Sequence, residues 1–183
     1  MIALVTGATA GFGALLARRW VSEGKRVIGV GRNVAAIAAA DVDAVIALGQ
    51  PEDAVRDAFA AEAAKGIDVV IDYVWGRPTE LLLEALAKGF KASSTPSTRL
   101  VEVGASAGPN ISLPGGILRS VDLTLLGSGF GSARMDVIFA AIPKLFSLAA
   151  EGKLRIDTEP IPLAQVEAAW SRTDKGRRIV FTV

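Results

Sequence analysis

The 183-residue sequence contains no cysteine and no histidine. The chain therefore has no disulfide, no thiol nucleophile and no thiolate or imidazole ligand, so we expect no zinc or other metal centre. The missing imidazole also removes the side chain most often used for acid–base catalysis near neutral pH. A single tyrosine is present, Tyr73.

Net charge is almost absent, because 20 basic residues offset 19 acidic ones and leave +1. Such a chain has no long-range field for a polyanion, and no basic stripe alternates with aromatic residues, so we predict no nucleic-acid or membrane-surface partner. No apolar run reaches transmembrane length, and Met1 directly opens the first apolar segment. We expect no membrane span, no signal peptide and a cytoplasmic location.

A glycine-rich turn lies near the start of the chain. Residues 1–5 form an apolar run that predicts a strand, and residues 14–20 form an apolar-periodic segment that predicts a helix. A helix start offers unpaired N–H groups, and glycines without Cβ atoms let a pyrophosphate approach closely. We predict that this turn binds a dinucleotide; the alternative is a turn that serves packing alone. The predicted binding residues are Gly7, Thr9, Ala10, Gly11, Phe12 and Gly13.

Strands and helices alternate along the chain, which is typical of a parallel sheet covered by helices on both faces. The predicted strands are 3–6, 26–30, 44–47, 69–72, 99–103 and 123–126, and the predicted helices are 11–23, 34–39, 51–64, 78–88, 113–119 and 135–150. This pattern predicts an α/β, doubly wound Rossmann fold in three layers, with strand order 3-2-1-4-5-6 and an extra C-terminal β/α/β tail. We expect residues 1–153 to form the dinucleotide-binding domain, with 154–183 packed on it or on a partner chain.

The end of the second strand carries a signal for cofactor choice. In this fold an acidic residue there binds the ribose hydroxyls of NAD, but this sequence reads Gly31-Arg32-Asn33. The guanidinium group of Arg32 presents donors that match phosphate oxygens. We therefore predict NADP rather than NAD, with Arg32 on the 2′-phosphate. The alternative is a solvent-exposed arginine at a helix start.

The spacing of Gly7, Gly11 and Gly13 follows G-x-x-x-G-x-G, and the second strand reads VIGVGR over residues 27–32. On these motifs, residues 1–32 resemble the opening of a short-chain dehydrogenase/reductase, closest to the NADP-dependent 3-hydroxy acid (serine) dehydrogenase branch. That resemblance implies an NADP-binding Rossmann domain.

Later segments carry a second resemblance. They are IDVVIDYVWG (67–76), LVEVGASAG (100–108), LRS (118–120), LGSGFG (126–131), AAEGKL (149–154), VEAAW (166–170) and GRRIVF (176–181). On these segments, residues 33–183 are similar to the cofactor domain and C terminus of a medium-chain, quinone-oxidoreductase-like alcohol dehydrogenase. The chain thus resembles a mosaic of two dehydrogenase families, of natural or engineered origin.

The second resemblance implies further contacts and partners. It implies that the nicotinamide end of the cofactor meets Val74, Trp75, Gly104, Ala105, Ser128 and Gly129. For Trp75, a packing role alone is the alternative. The resemblance also implies a homodimer, formed through the sixth strand or the C-terminal tail. The last strand, 178–183, lacks its family partner here, so we expect it to dock on a sheet edge, pair with another copy or stay mobile.

The catalytic residues and domains that these two families use are not all present in this sequence. A short-chain enzyme uses a tyrosine followed four positions later by a lysine, whereas Tyr73 is followed by Arg77. A medium-chain enzyme has a preceding catalytic domain, and this sequence starts at the cofactor strand. We therefore predict an NADP(H)-binding domain without catalytic residues, chimeric or truncated. The alternatives are a dimeric NADP-dependent reductase of small carbonyls or quinones, and a scaffold that no longer binds cofactor.

Overall fold

The computed structural model describes residues 1–88, 97–154, 156–172 and 177–183. The chain divides into two compact units, Met1–Ser132 and Ala133–Val183. The assignment of residues 1–153 to one dinucleotide-binding domain stays a prediction.

The first unit is built on a six-stranded parallel sheet with the order β3-β2-β1-β4-β5-β6. The strands are β1 Ile2–Thr6, β2 Arg26–Gly31, β3 Ala44–Ala47, β4 Val69–Asp72, β5 Thr98–Glu102 and β6 Leu123–Gly127. Each predicted strand is present within one residue of its predicted limits, and the predicted order is confirmed. The chain reverses direction across the sheet after β3, so β1 and β4 are neighbours at the switch point of the fold.

Within the described residues, five helices connect these strands. They are α1 Gly11–Ser22, α2 Val34–Ala38, α3 Glu52–Ala63, α4 Gly76–Lys88 and α5 Gly115–Ser120. A larger core contains Leu4 of β1 with Phe59 of α3 and Leu82 of α4, whereas a smaller core contains Val5 with Ile37 of α2. Consecutive residues of a strand point to opposite faces of a sheet, so the helices cover both faces and form the predicted three layers.

The second unit contains α6 Met135–Ala150, β7 Thr158–Pro162, α7 Val166–Trp170 and β8 Arg178–Thr182. Strands β7 and β8 pair in parallel, with Thr158 opposite Arg178 and Pro162 opposite Thr182. The predicted β/α/β tail is therefore present. Our expectation for the last strand was wrong: its partner is β7 of the same unit, because the crossover through α7 is long enough to return the chain in parallel.

None of the helices that the structure describes has both the length and the apolar character required to cross a membrane.

Candidate functional site

In the turn between β1 and α1, the backbone at the start of the helix lies unusually close to the backbone that follows the strand. Gly7 adopts a φ of +65°, in the left-handed region that favours glycine. A Cβ atom on Gly13 would lie 2.6 Å from the carbonyl oxygen of Gly7, so the first turn of α1 can pack onto the end of β1 only with glycine there. These two glycines have packing reasons that are independent of any ligand.

Gly11 differs from them. Its φ is +58°, but a Cβ atom there would meet nothing within 4 Å. The neighbouring Phe12 side chain is 79% exposed, and Ala10 supplies no side-chain cap to the start of α1. The start of α1 thus has no side-chain cap and open space next to Gly11, which is the arrangement that anions bind.

The end of β2 lies beside this turn. A Cβ atom on Gly31 would lie 2.9 Å from Cγ2 of Thr9. The next residue, Arg32, is exposed, and the following Asn33 accepts a hydrogen bond from the N–H of Ala36 through its side chain. Asn33 is thus used to begin α2, and the guanidinium group of Arg32 remains the charged group next to the turn.

A cleft of about 290 Å³ opens where these segments meet. Its walls are formed by residues at or just after the carboxyl ends of five parallel strands, the usual ligand-binding edge of such a sheet. The lining residues are Gly7, Thr9, Gly31, Arg32, Leu48, Val74, Pro78, Ser106 and Ala107. Four of the residues that the sequence predicts for the cofactor site therefore come together here: Gly7, Thr9, Arg32 and Val74.

Two apolar walls of the cleft, Leu48 and Pro78, are absent from the sequence prediction. Leu48 directly follows β3, and Pro78 lies in the first turn of α4. The position of Leu48 after a strand could have suggested it, because every predicted strand ends at the same edge. Nothing in the sequence around Pro78 points to the site.

The sequence analysis did not identify a role for Asp72, which is fully buried at the end of β4. Its Oδ1 accepts hydrogen bonds from the Thr6 hydroxyl at 2.7 Å and from the N–H groups of Val74 and Trp75 at 3.0 and 3.1 Å. Its Oδ2 accepts one from the Thr79 hydroxyl at 2.5 Å. One carboxylate therefore joins the end of β1, the loop after β4 and the start of α4.

The loop after β4 adopts a rare backbone conformation. Trp75 has a φ of +53°, a region that bulky residues seldom occupy, and Gly76 follows at +63°. The segment after β5 packs directly on this loop, since the N–H of Ala107 donates to the carbonyl of Val74 at 2.7 Å. The Ser106 hydroxyl donates to the carbonyl of Tyr73 at 3.2 Å. The two loops thus form one connected wall.

Tyr73 lies at the base of this wall. Its Cβ atom is 3.0 Å from the position of a Cβ on Gly7, its N–H donates to the Thr6 hydroxyl at 2.8 Å, and its ring packs against the smaller core. Burial raises the pKa of the Tyr73 phenol. The residue four positions later, Arg77, pairs with Glu52 at 2.6 Å and Glu80 at 2.8 Å, so its charge is directed to the surface of α3 and α4.

The other predicted residues lie outside the first cleft. Trp75 and Ala105 line a second cleft, with Gly104 packed against the Tyr73 carbonyl. Ser128 and Gly129 follow β6 and are exposed. Over the described ranges there is no group of three acidic, cysteine or histidine residues that would hold a metal ion.

No protein-family model matches the chain, and no curated protein matches it. Solved structures do. A putative alcohol dehydrogenase from Sinorhizobium meliloti 1021 shares 28% sequence identity and covers 99% of this chain and 48% of its own, with a TM-score of 0.60. A quinone oxidoreductase from Pseudomonas syringae pv. Tomato DC3000 shares 23% and covers 98% and 56%, with a TM-score of 0.64. CurA from Vibrio vulnificus, in complex with NADPH, shares 16% and covers 100% and 56%, with a TM-score of 0.58.

The chain therefore spans about half the length of these structures. Its six-stranded Rossmann fold is shared with the matching half of the alcohol dehydrogenase and quinone oxidoreductase structures. Because the matches extend over 98% or more of the chain, they include residues 1–32 and give no support to a separate short-chain segment there.

Proposed function

We propose that this chain is an NADP(H)-binding Rossmann domain of the oxidoreductase type. The observation that carries the proposal is the single cleft that combines Gly7 and Thr9 of the glycine turn with Arg32. An open helix start suits the pyrophosphate, and a free guanidinium group beside it suits a 2′-phosphate. The apolar walls at Leu48 and Val74 suit the adenine ring.

The preference for NADP over NAD rests on charge. A carboxylate after β2 would bind the ribose hydroxyls of NAD and repel a 2′-phosphate. The residues there are Arg32, which is exposed and cationic, and Asn33, whose side chain caps α2. The cleft therefore favours the cofactor that carries the additional phosphate.

The bound cofactor would supply hydride-transfer chemistry, and the chain's own residues would hold it in place. The described residues around the cleft include no lysine paired with Tyr73, and the sequence has no histidine or cysteine to act as proton donor. Loss of general acid catalysis typically lowers a rate about 10²–10⁴-fold. We therefore propose a binding module rather than an efficient enzyme.

A second candidate is an NADP-dependent reductase of small carbonyls or quinones. It is favoured by the alcohol dehydrogenase and the quinone oxidoreductase among the similar structures. Such a reductase needs a second wall for its substrate. A homodimer paired along β6 is the arrangement we propose for it, since β6 is an edge strand and Leu126 on it is 46% exposed.

The G-x-x-x-G-x-G spacing of the first glycine turn remains the reason to propose a mosaic origin for the chain. A graft of one family's phosphate loop onto another family's remaining loops would displace one end of the cofactor. That displacement is the basis of the scaffold alternative, in which the fold persists without cofactor binding.

Calorimetric titration with NADPH and NADH tests the proposal. We expect NADPH to bind more tightly than NADH, and Arg32→Ala to weaken NADPH binding about tenfold while leaving NADH binding unchanged. Arg18→Ala, which removes an exposed arginine from α1, is the matched control. No heat with either cofactor would favour the scaffold alternative, and turnover of NADPH with quinones or aldehydes would favour the reductase.

A further inference from the structure

A second cleft, of about 400 Å³, lies at the carboxyl ends of β5 and β6. Its walls are mainly apolar and include Leu100, Leu125, Leu126 and Pro109. One acidic side chain, Glu102, lines the same cleft. An apolar cleft with one charged group has the composition of a small-molecule site.

The strand register leaves space beside Glu102. Glu102 is paired in the sheet with Gly127 of β6, a residue without a side chain. A Cβ atom on Gly127 would meet nothing within 4 Å. Glycine at this position therefore leaves room beside Glu102, where any other residue would fill part of the cleft.

Glu102 and Asp72 are neighbours in the sheet, but their carboxylates differ in burial and in hydrogen bonding. Asp72 is fully buried and accepts four hydrogen bonds. Glu102 is half-buried, and within the described parts of the chain its carboxylate has neither a hydrogen-bond donor nor a basic partner. A partly desolvated carboxylate gains most from a cation, because an opposite charge compensates for the lost hydration.

The cleft also has an aromatic wall, Trp75, which packs against the larger core. The strained, left-handed backbone of Trp75 is held by the hydrogen bond from its N–H to Asp72. Aromatic rings attract organic cations through their negatively charged faces, and tryptophan is the most effective of them. Trp75 and Glu102 are thus complementary to the same kind of ligand.

We propose that this cleft binds a small organic cation, a quaternary or protonated amine with apolar substituents. Its positive charge would lie near Glu102, and its apolar groups would contact Trp75 and the leucine side chains. The site is distinct from the cleft around Arg32, although adjacent residues of the same two loops line both. Trp75 and Ala105 of this cleft are also predicted contacts of the nicotinamide end of the cofactor, so the organic cation and a bound cofactor would compete there, and the test uses the chain without added cofactor.

The test is a ligand-observed NMR titration of the full chain with benzyltrimethylammonium. We expect saturable binding, weakened about tenfold by Glu102→Gln, which keeps the side chain's shape and removes its charge. Asp57→Asn removes the same charge from an exposed position on α3 and should leave the affinity within about twofold of the original, since screened distant charges contribute little.

A second variant, Gly127→Val, leaves Glu102 in place and fills the space next to it. We expect it to abolish binding while the far-ultraviolet circular dichroism spectrum and melting curve remain those of the unaltered chain. This variant tests the proposal even if Glu102→Gln does not fold. Absence of saturable binding to the unaltered chain, or equal binding by Glu102→Gln or Gly127→Val, would overturn the proposal.

Discussion

The Thr6 hydroxyl donates a hydrogen bond to the Asp72 carboxylate at 2.7 Å, and this bond ties the end of β1 to the end of β4. These strands are neighbours at the switch point of the sheet. Thr6 immediately precedes Gly7 of the glycine turn, and Asp72 holds the N–H groups of Val74 and Trp75. One buried carboxylate therefore sets the distance between two walls of the proposed cofactor cleft.

Replacing Asp72 tests this link. Asp72→Ala would leave two hydroxyl and two N–H donors without their acceptor, and each buried unpaired donor costs about 1–3 kcal/mol. We expect the free energy of unfolding in urea to fall by at least about 3 kcal/mol. If the chain remains folded, calorimetry should also show weaker NADPH binding.

Asp72→Asn is the control for that experiment. Its amide oxygen can accept the three hydrogen bonds made to Oδ1, and the Thr79 hydroxyl can rotate to accept one from the amide nitrogen. We expect a loss of about 1 kcal/mol. Equal losses for the alanine and asparagine variants would contradict the proposed role of the hydrogen bonds.

Gly13 offers a test of close backbone packing. A Cβ atom there would lie 2.6 Å from the Gly7 carbonyl oxygen, and backbone cannot rotate away as a side chain can. We expect Gly13→Ala to destabilise the fold by about 1–3 kcal/mol in urea unfolding. Gly49→Ala, at a position where a Cβ meets nothing within 4 Å, should be within about 0.5 kcal/mol of the unaltered chain.

This result would also decide how the glycine turn is probed. Loss of cofactor binding by a Gly13 variant would not distinguish disturbed packing of α1 on β1 from a missing contact with the cofactor. Arg32 is exposed and removed from the core, so its replacement isolates the contact with phosphate.

The sheet was predictable because most of its strands are short, mainly apolar runs, separated by segments that contain charged residues or glycine. Residues 44–47 and 69–72 have the limits that the sequence predicts. Such runs are fixed by burial on both faces, which local sequence records directly. The closeness of the glycine turn to Arg32 was also predictable, since both lie within one local βαβ unit, whereas their contact with a cofactor stays a prediction.

The features that the sequence did not reveal depend on long-range contacts. Thr6 and Asp72 are 66 positions apart, and neither residue type signals a buried pair. The left-handed backbone at Trp75 contradicts the preference of a bulky residue, so no local pattern predicts it. The partner of β8 depended on the path of the chain through α7, which apolar periodicity does not specify.

Glu62 forms ion pairs with Arg26 and Lys65, which make the stability of the fold depend on pH in the acid range. Burial alone raises the pKa of Glu62, but hydrogen bonds from Lys65 at 2.7 Å and Arg26 at 2.6 Å outweigh it and hold the pKa below its ordinary value of 4.5. A lowered pKa in the folded state contributes stability above the unfolded-state pKa. That contribution is lost as the pH falls below about 4.5 and through the folded pKa.

The measurement is urea unfolding of the chain and of Glu62→Gln at several pH values between about 3 and 7. We expect Glu62→Gln to be less stable at neutral pH and the difference between the two proteins to shrink on acidification. Glu167→Gln, at an exposed position without an ion pair among the described contacts, controls for the change of charge. A difference that grew at low pH would have the wrong sign for this account.

Tyr73 is the remaining residue with an obvious catalytic alternative. Its ring packs on Gly7 and on the smaller core, burial raises the pKa of its phenol, and no described lysine lies beside it to lower that pKa. A phenol with a raised pKa is a weaker proton donor near neutral pH, which is opposite to what a catalytic tyrosine requires.

We therefore expect Tyr73→Phe to leave NADPH affinity within about twofold, because the hydroxyl is lost while the ring packing is kept. Any NADPH oxidation with aldehydes or quinones should be equally unaffected. Tyr73→Ala is the contrasting variant: it removes the ring that packs against Gly7 and should lower the melting temperature. A loss of turnover by the phenylalanine variant at unchanged NADPH affinity would instead assign the proton transfer to this hydroxyl and favour the reductase.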